Sequence, residues 1–160
     1  MAKQSAGLLL FRRKRRDGAG ARPIEVLLGH PGGPYWAGKD TGAWSIPKGE
    51  FLQDEEPLAA ARREFAEEMG AAPEGEFIPL APVKQPGGKV VHIWALEADF
   101  NIAFHTSNLF SMEWPPRSGH QQEFPEVDRA GWFPLEVARQ KIIRGQAPFL
   151  DQLVERVGVT

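Results

Sequence analysis

Between positions 61 and 70 the chain reads ARREFAEEMG, with glutamates at 64, 67 and 68 behind arginines at 62 and 63. Carboxylates this close raise the cost of each other's ionisation unless positive charge is held among them. On a helix, at about 100° per residue, Leu58, Ala61, Phe65 and Met69 form one apolar stripe. Glu64, Glu67 and Glu68 occupy an adjacent arc about 100° wide, with Glu68 nearest the stripe, where an unpaired charge at the margin of a core is expensive. Arg63 reaches Glu67 at i+4 and leaves Glu64 and Glu68, themselves i and i+4, in mutual repulsion. A divalent cation resolves that conflict. Mg²⁺, or Mn²⁺ in its place, takes carboxylate and carbonyl oxygens and water, and leaves coordination positions for substrate phosphates.

The elements that must position these groups are legible around them. Pro57 suits the first position of a helix, Asp54, Glu55 and Glu56 ahead of it complement the helix dipole, and Gly70 supplies a left-handed stop at about Met69. Residues 5–12 and 24–30 read as strands around a basic hairpin turn, 44–46 as a brief strand stopped by Pro47, and 77–83 and 89–96 as a pair joined at Pro86–Gly88. Short strands at 109–114 and 130–133, and helices at 135–143 and 148–157, complete a mixed sheet with helices and no internal repeat. Residues 31–44 hold too much glycine and proline for regular structure and form a loop long enough to be functional.

Bulk properties exclude several classes. A chain of 160 residues with 42% hydrophobic and 25% charged residues and net charge -2 reads as one globular domain, 1–160, without the basic excess of a stable nucleic-acid complex. No apolar run is long enough to span a bilayer, and the charges at the start follow the apolar run instead of preceding it, so a cytoplasmic location is expected. The absence of cysteine removes disulfides, thiolate zinc sites and cysteine nucleophiles. The run of basic residues at 12–16 is read as a solvated hairpin end.

From Gly49 the sequence runs GEFLQDEEPLAAARREFAEEMGA: glycine, five residues, Glu55, seven residues, then Arg63, Glu64, an apolar residue, Ala66, Glu67, Glu68, Met69, Gly70 and Ala71. This resembles the complete signature box of the Nudix hydrolases, and a chance match is on the order of 10⁻⁸ per starting position for residue types near 7% each. The resemblance implies an α+β fold, a Nudix-type α/β/α sandwich with a mixed, partly antiparallel sheet. It also implies a pyrophosphohydrolase that uses magnesium to cleave a nucleoside diphosphate linked to another group. Glu64, Glu67 and Glu68 match the family's metal ligands, with a backbone carbonyl from Lys48 or Gly49. Glu55, Arg63, Gly49 and Gly70 match structural positions, the arginine tying loop to helix. Members often take a further acid from a later loop as ligand or base, for which Glu126 comes first here and Glu123 second; Glu64 is left open as ligand or base.

Substrate identity must come from outside the box. The stretch from Trp44 to Gly49 resembles the entry to the box in hydrolases of diadenosine tetraphosphate and of diphosphoinositol polyphosphates. Lys48, Lys39 and Arg117 are candidates to neutralise further phosphates, and Tyr35, Trp36 and Trp44 to stack a base. His30, His92, His105 and His120 lack ligand spacing and receive no role. The expected partner is a small-molecule nucleotide, dinucleoside polyphosphates or nucleoside triphosphates being favoured, and the protein a monomer or homodimer. Two rivals are weighed. Gly33 to Asp40, GPYWAGKD, nearly matches a phosphate-binding loop, but Asp40 stands where a hydroxyl belongs and Gly42 and Pro47 deny the following helix. A catalytically silent Nudix-fold nucleotide-binding regulator need not keep every metal carboxylate. Messenger RNA decapping is disfavoured by the short chain and the lack of basic excess.

Overall fold

Leu8, Leu9 and Leu10 follow one another without a break, a pattern stable only where both faces of a strand are covered. In the computed structural model, which describes residues 3–13 and 23–158, they lie in the middle of β1 (Gln4–Arg13). One neighbour is β6 (Val90–Glu97), parallel to β1 from Gln4↔Val90 to Phe11↔Glu97. On the other side β2 (Ile24–Pro31) pairs antiparallel with the end of β1, and β3 (Lys48–Glu50) with its beginning, Gly7 opposite Lys48. β4 (Phe77–Pro79) and β5 (Val83–Lys84) flank β6, and β9 (Val127–Pro134) flanks β2, making a mixed seven-stranded sheet of order β4-β6-β1-β2-β9 with β3 and β5 attached at β1 and β6.

Alternation along β1 divides the core. Ala6, Leu8 and Leu10 meet Ala60, Ala61, Phe65 and Met69 of α1 (Pro57–Met69). Leu9 and Phe11 belong to the opposite cluster with Ala138 of α2 (Leu135–Lys141) and with Phe149, Leu150 and Leu153 of α3 (Ala147–Val157). Fully burying each large apolar side chain contributes about 1.5–3 kcal/mol, and Phe65 and Phe149 are completely covered. Helices thus sandwich a mixed sheet, the expected architecture.

Three elements differ from the sequence reading. Trp44 and Ser45 form only single bridges, to Ile142 and Gly29, and the strand begins after Pro47, whose carbonyl accepts a bond from the Leu8 N–H. The expected strand at 77–83 breaks around Leu80 into β4 and β5. An unexpected strand, β8 (Gln121–Pro125), pairs with β7 (Leu109–Glu113) in a separate two-stranded hairpin. Polar QQEFP carries no alternation, so only its pairing with β7 marks it. Of the basic run, Arg12 pairs with Glu25 and Asp99 and Arg13 with Glu97, while Lys14 to Arg16 lie outside the described residues. Among the described residues no helix is long and apolar enough to cross a membrane.

Candidate active site

α1 begins at Pro57 and its preceding residue, Glu56, makes no side-chain cap. Glu55 is instead gripped by Arg63, whose Nε and Nη2 donate to both of its carboxylate oxygens at 2.8 and 3.0 Å. The bidentate pair fixes the loop against the helix. Arg63 Nη1 donates to both Glu67, the expected i+4 partner, and Glu64, each at 2.9 Å. A β-carbon at position 49 would sit 2.0 Å from a Glu64 carboxylate oxygen, so only glycine lets that carboxylate lie against the loop.

The helix end brings in the fourth acid. Gly70 adopts the left-handed conformation, φ 85°, and a β-carbon there would lie 2.1 Å from Thr106 Oγ1. The closely packed segment satisfies the last carbonyls of α1: Glu67 accepts from the Asn108 N–H at 2.8 Å and Met69 from the Thr106 N–H at 3.2 Å. His105 Nε2 donates to the Glu68 carbonyl at 2.9 Å, a capping role that spacing alone did not suggest. The Asn108 carbonyl then accepts the Glu126 N–H at 2.8 Å, and the Glu126 carbonyl accepts the Gly32 N–H at 3.0 Å. This ladder of backbone bonds sets Glu126 beside the helix acids.

Titration reports the crowding. Glu68 is pushed up to about 8, first by burial and then by the charges of Glu64 and Glu126; Lys48 offsets this by its charge and by a hydrogen bond from its backbone N–H. Burial first, then Glu67, also raises Glu64, though Glu64 gains the opposing Arg63 contacts that Glu68 lacks. Burial is the first cause at both acids; at Glu64 it is opposed by the Arg63 charge and hydrogen bond, and at Glu68 only by Lys48. Glu126 is raised by burial and by Glu67. Burial lowers the Lys48 ammonium, with Lys89 adding to the effect and Glu68, Glu50 and Glu64 opposing it.

Residues expected around this cluster fall into separate groups. Lys48 is at the cluster through its contact with Glu68. Glu123, in β8 opposite Ser111, is exposed. Trp44 is 5% exposed, its Nε1 donates to Asp40, and its ring meets His30 and Phe133 edge-on. It is a core residue, and its ring has no face to offer a substrate base. Tyr35 and Trp36 are exposed, with Lys39 Nζ 5.1 Å from the Trp36 ring centroid. Arg117 lies at the hairpin tip, separated from Glu126 by the length of β8, about 17 Å at strand rise. Fully buried His30 joins the loop after β2 to β9: its Nε2 donates to the Lys39 carbonyl at 2.6 Å and its Nδ1 meets Asp128 at 2.9 Å. The phosphate-loop alternative fails on backbone grounds. Turns and irregular chain, not a helix, follow Lys39, and Asp40 is tied to Trp44 and Lys141.

Among the described residues no three acidic or imidazole groups close on a common point, and Arg63 occupies an oxygen of both Glu64 and Glu67. The donor chemistry nevertheless fits a hard dication: oxygens alone, carrying a negative excess that burial makes costly. A Nudix domain model matches residues 1–153, and the chain belongs to the Nudix family, whose hydrolases generally use a divalent metal. It is a pyrophosphohydrolase by class, retaining Arg63, Glu64, Glu67 and Glu68 of the signature. Among solved structures it is similar to the NUDIX domain of Shewanella oneidensis NrtR complexed with ADP ribose, at 17% identity and TM-score 0.64 over 98% of this chain and 89% of that one. A mutT/nudix family protein from Listeria innocua gives 16%, 0.63, 97% and 93%. An Ap4A hydrolase of C. elegans gives 22%, 0.59, 96% and 96%. Comparison with curated proteins finds no significant match.

Proposed function

We propose that the protein is a magnesium-dependent pyrophosphohydrolase that cleaves the diphosphate linkage of a nucleoside diphosphate derivative, dinucleoside polyphosphates or nucleoside triphosphates being the favoured class. The observation that carries this reading is the approach of Glu126 to Glu64, Glu67 and Glu68, where burial first and mutual repulsion second raise three of the four acids. Glu64, Glu67, Glu68 and Glu126, with the carbonyls of Lys48 and Gly49, would hold the ion, Glu123 on exposed β8 being the second choice for the fourth acid. A bound dication supplies neutralisation of phosphate oxygens and acidification of a water.

The chain's own groups supply the remainder. A carboxylate with a raised pKa accepts a proton well near neutral pH, which suits Glu64 and Glu126 as general base. Arg63 positions Glu64 and Glu67 and cannot itself give up a proton. Lys48 stands beside the carboxylates, where its ammonium would meet a phosphate, while Lys39 and Tyr35 lie at the loop end. Arg117 is suited only to a substrate that extends along the hairpin. The Nudix domain would act in the cytoplasm, as a monomer or homodimer. Diadenosine tetraphosphate, nucleoside triphosphates, nucleotide sugars and diphosphoinositols, each incubated with magnesium and analysed for products, test the reading. Cleavage within a diphosphate bridge that disappears in Glu68→Gln supports it; a wild-type protein inert toward the whole panel identifies the silent nucleotide-binding alternative.

A further inference from the structure

The loop after β2 and the β7–β8 hairpin enclose an apolar cleft of about 280 Å³, lined by residues 32–36 with Phe110 and Met112. Phe110 and Met112 are alternate residues of β7 and turn the same half-buried face toward the loop. The fit between the two walls is close. A β-carbon on Gly32 would lie 1.8 Å from the Pro125 carbonyl oxygen, and one on Gly33 would lie 2.9 Å from the Phe110 ring. At the outer end Tyr35 packs edge-on against Trp114 with ring centroids 5.4 Å apart.

We propose that this cleft holds the base of the substrate by stacking and shape without reading its hydrogen-bonding edge, so that the enzyme accepts purine and pyrimidine nucleotides alike. The inference rests on the pyrophosphohydrolase reading above and adds the specificity of its site. Position supports it: the Gly32 N–H bond to the Glu126 carbonyl makes the cleft floor continuous with the carboxylate cluster, so a base held there directs its phosphates toward the acids. Size supports it too. The cleft is smaller than the ~300–1,000 Å³ of pockets that enclose drug-sized ligands, leaving room for one ring system.

The polar inventory explains the tolerance. Of the lining side chains, only the Tyr35 hydroxyl and the Trp36 indole N–H can hydrogen-bond strongly, and both belong to exposed loop residues. Several backbone groups of the loop wall are already engaged: the Gly32 N–H by Glu126, the Gly33 carbonyl by the Trp36 N–H, and the Trp36 carbonyl by the Lys39 N–H. A site discriminates by four or more orders of magnitude when it hydrogen-bonds the distinguishing groups, whereas apolar contact discriminates only about 10–200-fold. Aromatic faces stack any base.

The chain has three methionines, and this makes the test local. Met69, the last residue of α1, is fully buried and Met112 lines the cleft, so methyl-labelled protein carries both a control and a probe. In titrations with AMP, GMP, CMP and UMP in the presence of EDTA, the Met112 methyl, assigned through Met112→Leu, shifts saturably with all four. The four affinities agree within about tenfold, Met69 stays still, and Phe110→Ala weakens all four together. An unmoved Met112, or one nucleotide bound more than a hundredfold tighter than the rest, overturns the proposal. The measurement needs neither metal nor turnover. Nucleotide binding without hydrolysis of any anhydride would defeat the enzymatic reading alone, and hydrolysis without a Met112 response would defeat the cleft alone.

Discussion

Replacing Glu68 by glutamine should stabilise the metal-free protein while abolishing its activity. Ionisation of this carboxyl occurs near pH 8 in the fold, against 4.5 for the ordinary group. Below about pH 4.5 the folded and unfolded chains both hold the proton; above it the unfolded chain releases the proton and the folded one keeps it. Stability therefore falls as pH rises toward 8, by up to about 1.4 kcal/mol per pH unit from this group. At pH 7 the loss is about 3 kcal/mol for the carboxyl taken alone, and about 1–3 kcal/mol once relaxation and the forfeited Lys48 attraction are allowed for. Glutamine has nearly the same shape, can still accept the Lys48 N–H, and does not titrate. In EDTA at pH 7.5, Glu68→Gln should melt about 3–10 °C above the natural protein, the gap shrinking toward pH 4.5. Added magnesium should raise the melting temperature of the natural protein and leave the variant nearly unmoved. A variant equally or less stable at pH 7.5, or a gap that does not change with pH, refutes the account of crowded, desolvated acids.

Other changes test other contacts. Gly49→Ala places a methyl where the Glu64 carboxylate lies, so kcat/KM with magnesium should fall at least a hundredfold while thermal melting shifts by only a few degrees. Glu126→Gln should lower kcat by two orders of magnitude or more, as loss of a general base or ligand does, and Glu123→Gln by less than threefold; comparable losses in steady-state assays would reassign the fourth acid. Trp44→Ala should cost about 3–5 kcal/mol in urea unfolding because the ring is buried, whereas Trp36→Ala, in the exposed loop, should cost less than about 1 kcal/mol.

The stretch from Gly49 to Ala71 is legible in the sequence because its logic is local. Helical period fixes which side of α1 carries Glu64, Glu67 and Glu68, Pro57 and Gly70 mark its ends, and the Arg63 to Glu67 reach is set by one helical turn. The observed helix has the expected limits, Pro57 to Met69. Trp44 shows where such reasoning stops: in a glycine-rich stretch its side chain could face solvent or core, and only the packing of His30 and Phe133 around it decides. β8 and the role of His105 were likewise illegible, since both exist only through partners distant in the chain.

Sequence alone determined the family, the helix and the oxygen-rich donor set, all of which depend on residues within one helical segment and its entry loop. Tertiary structure decided that Glu126 reaches the helix acids through Asn108, that burial makes Glu68 the most perturbed of them, and that a cleft opens between loop and hairpin. Those features depend on non-local backbone hydrogen bonds and on exclusion of water, and neither is encoded in the spacing of residue types along the chain.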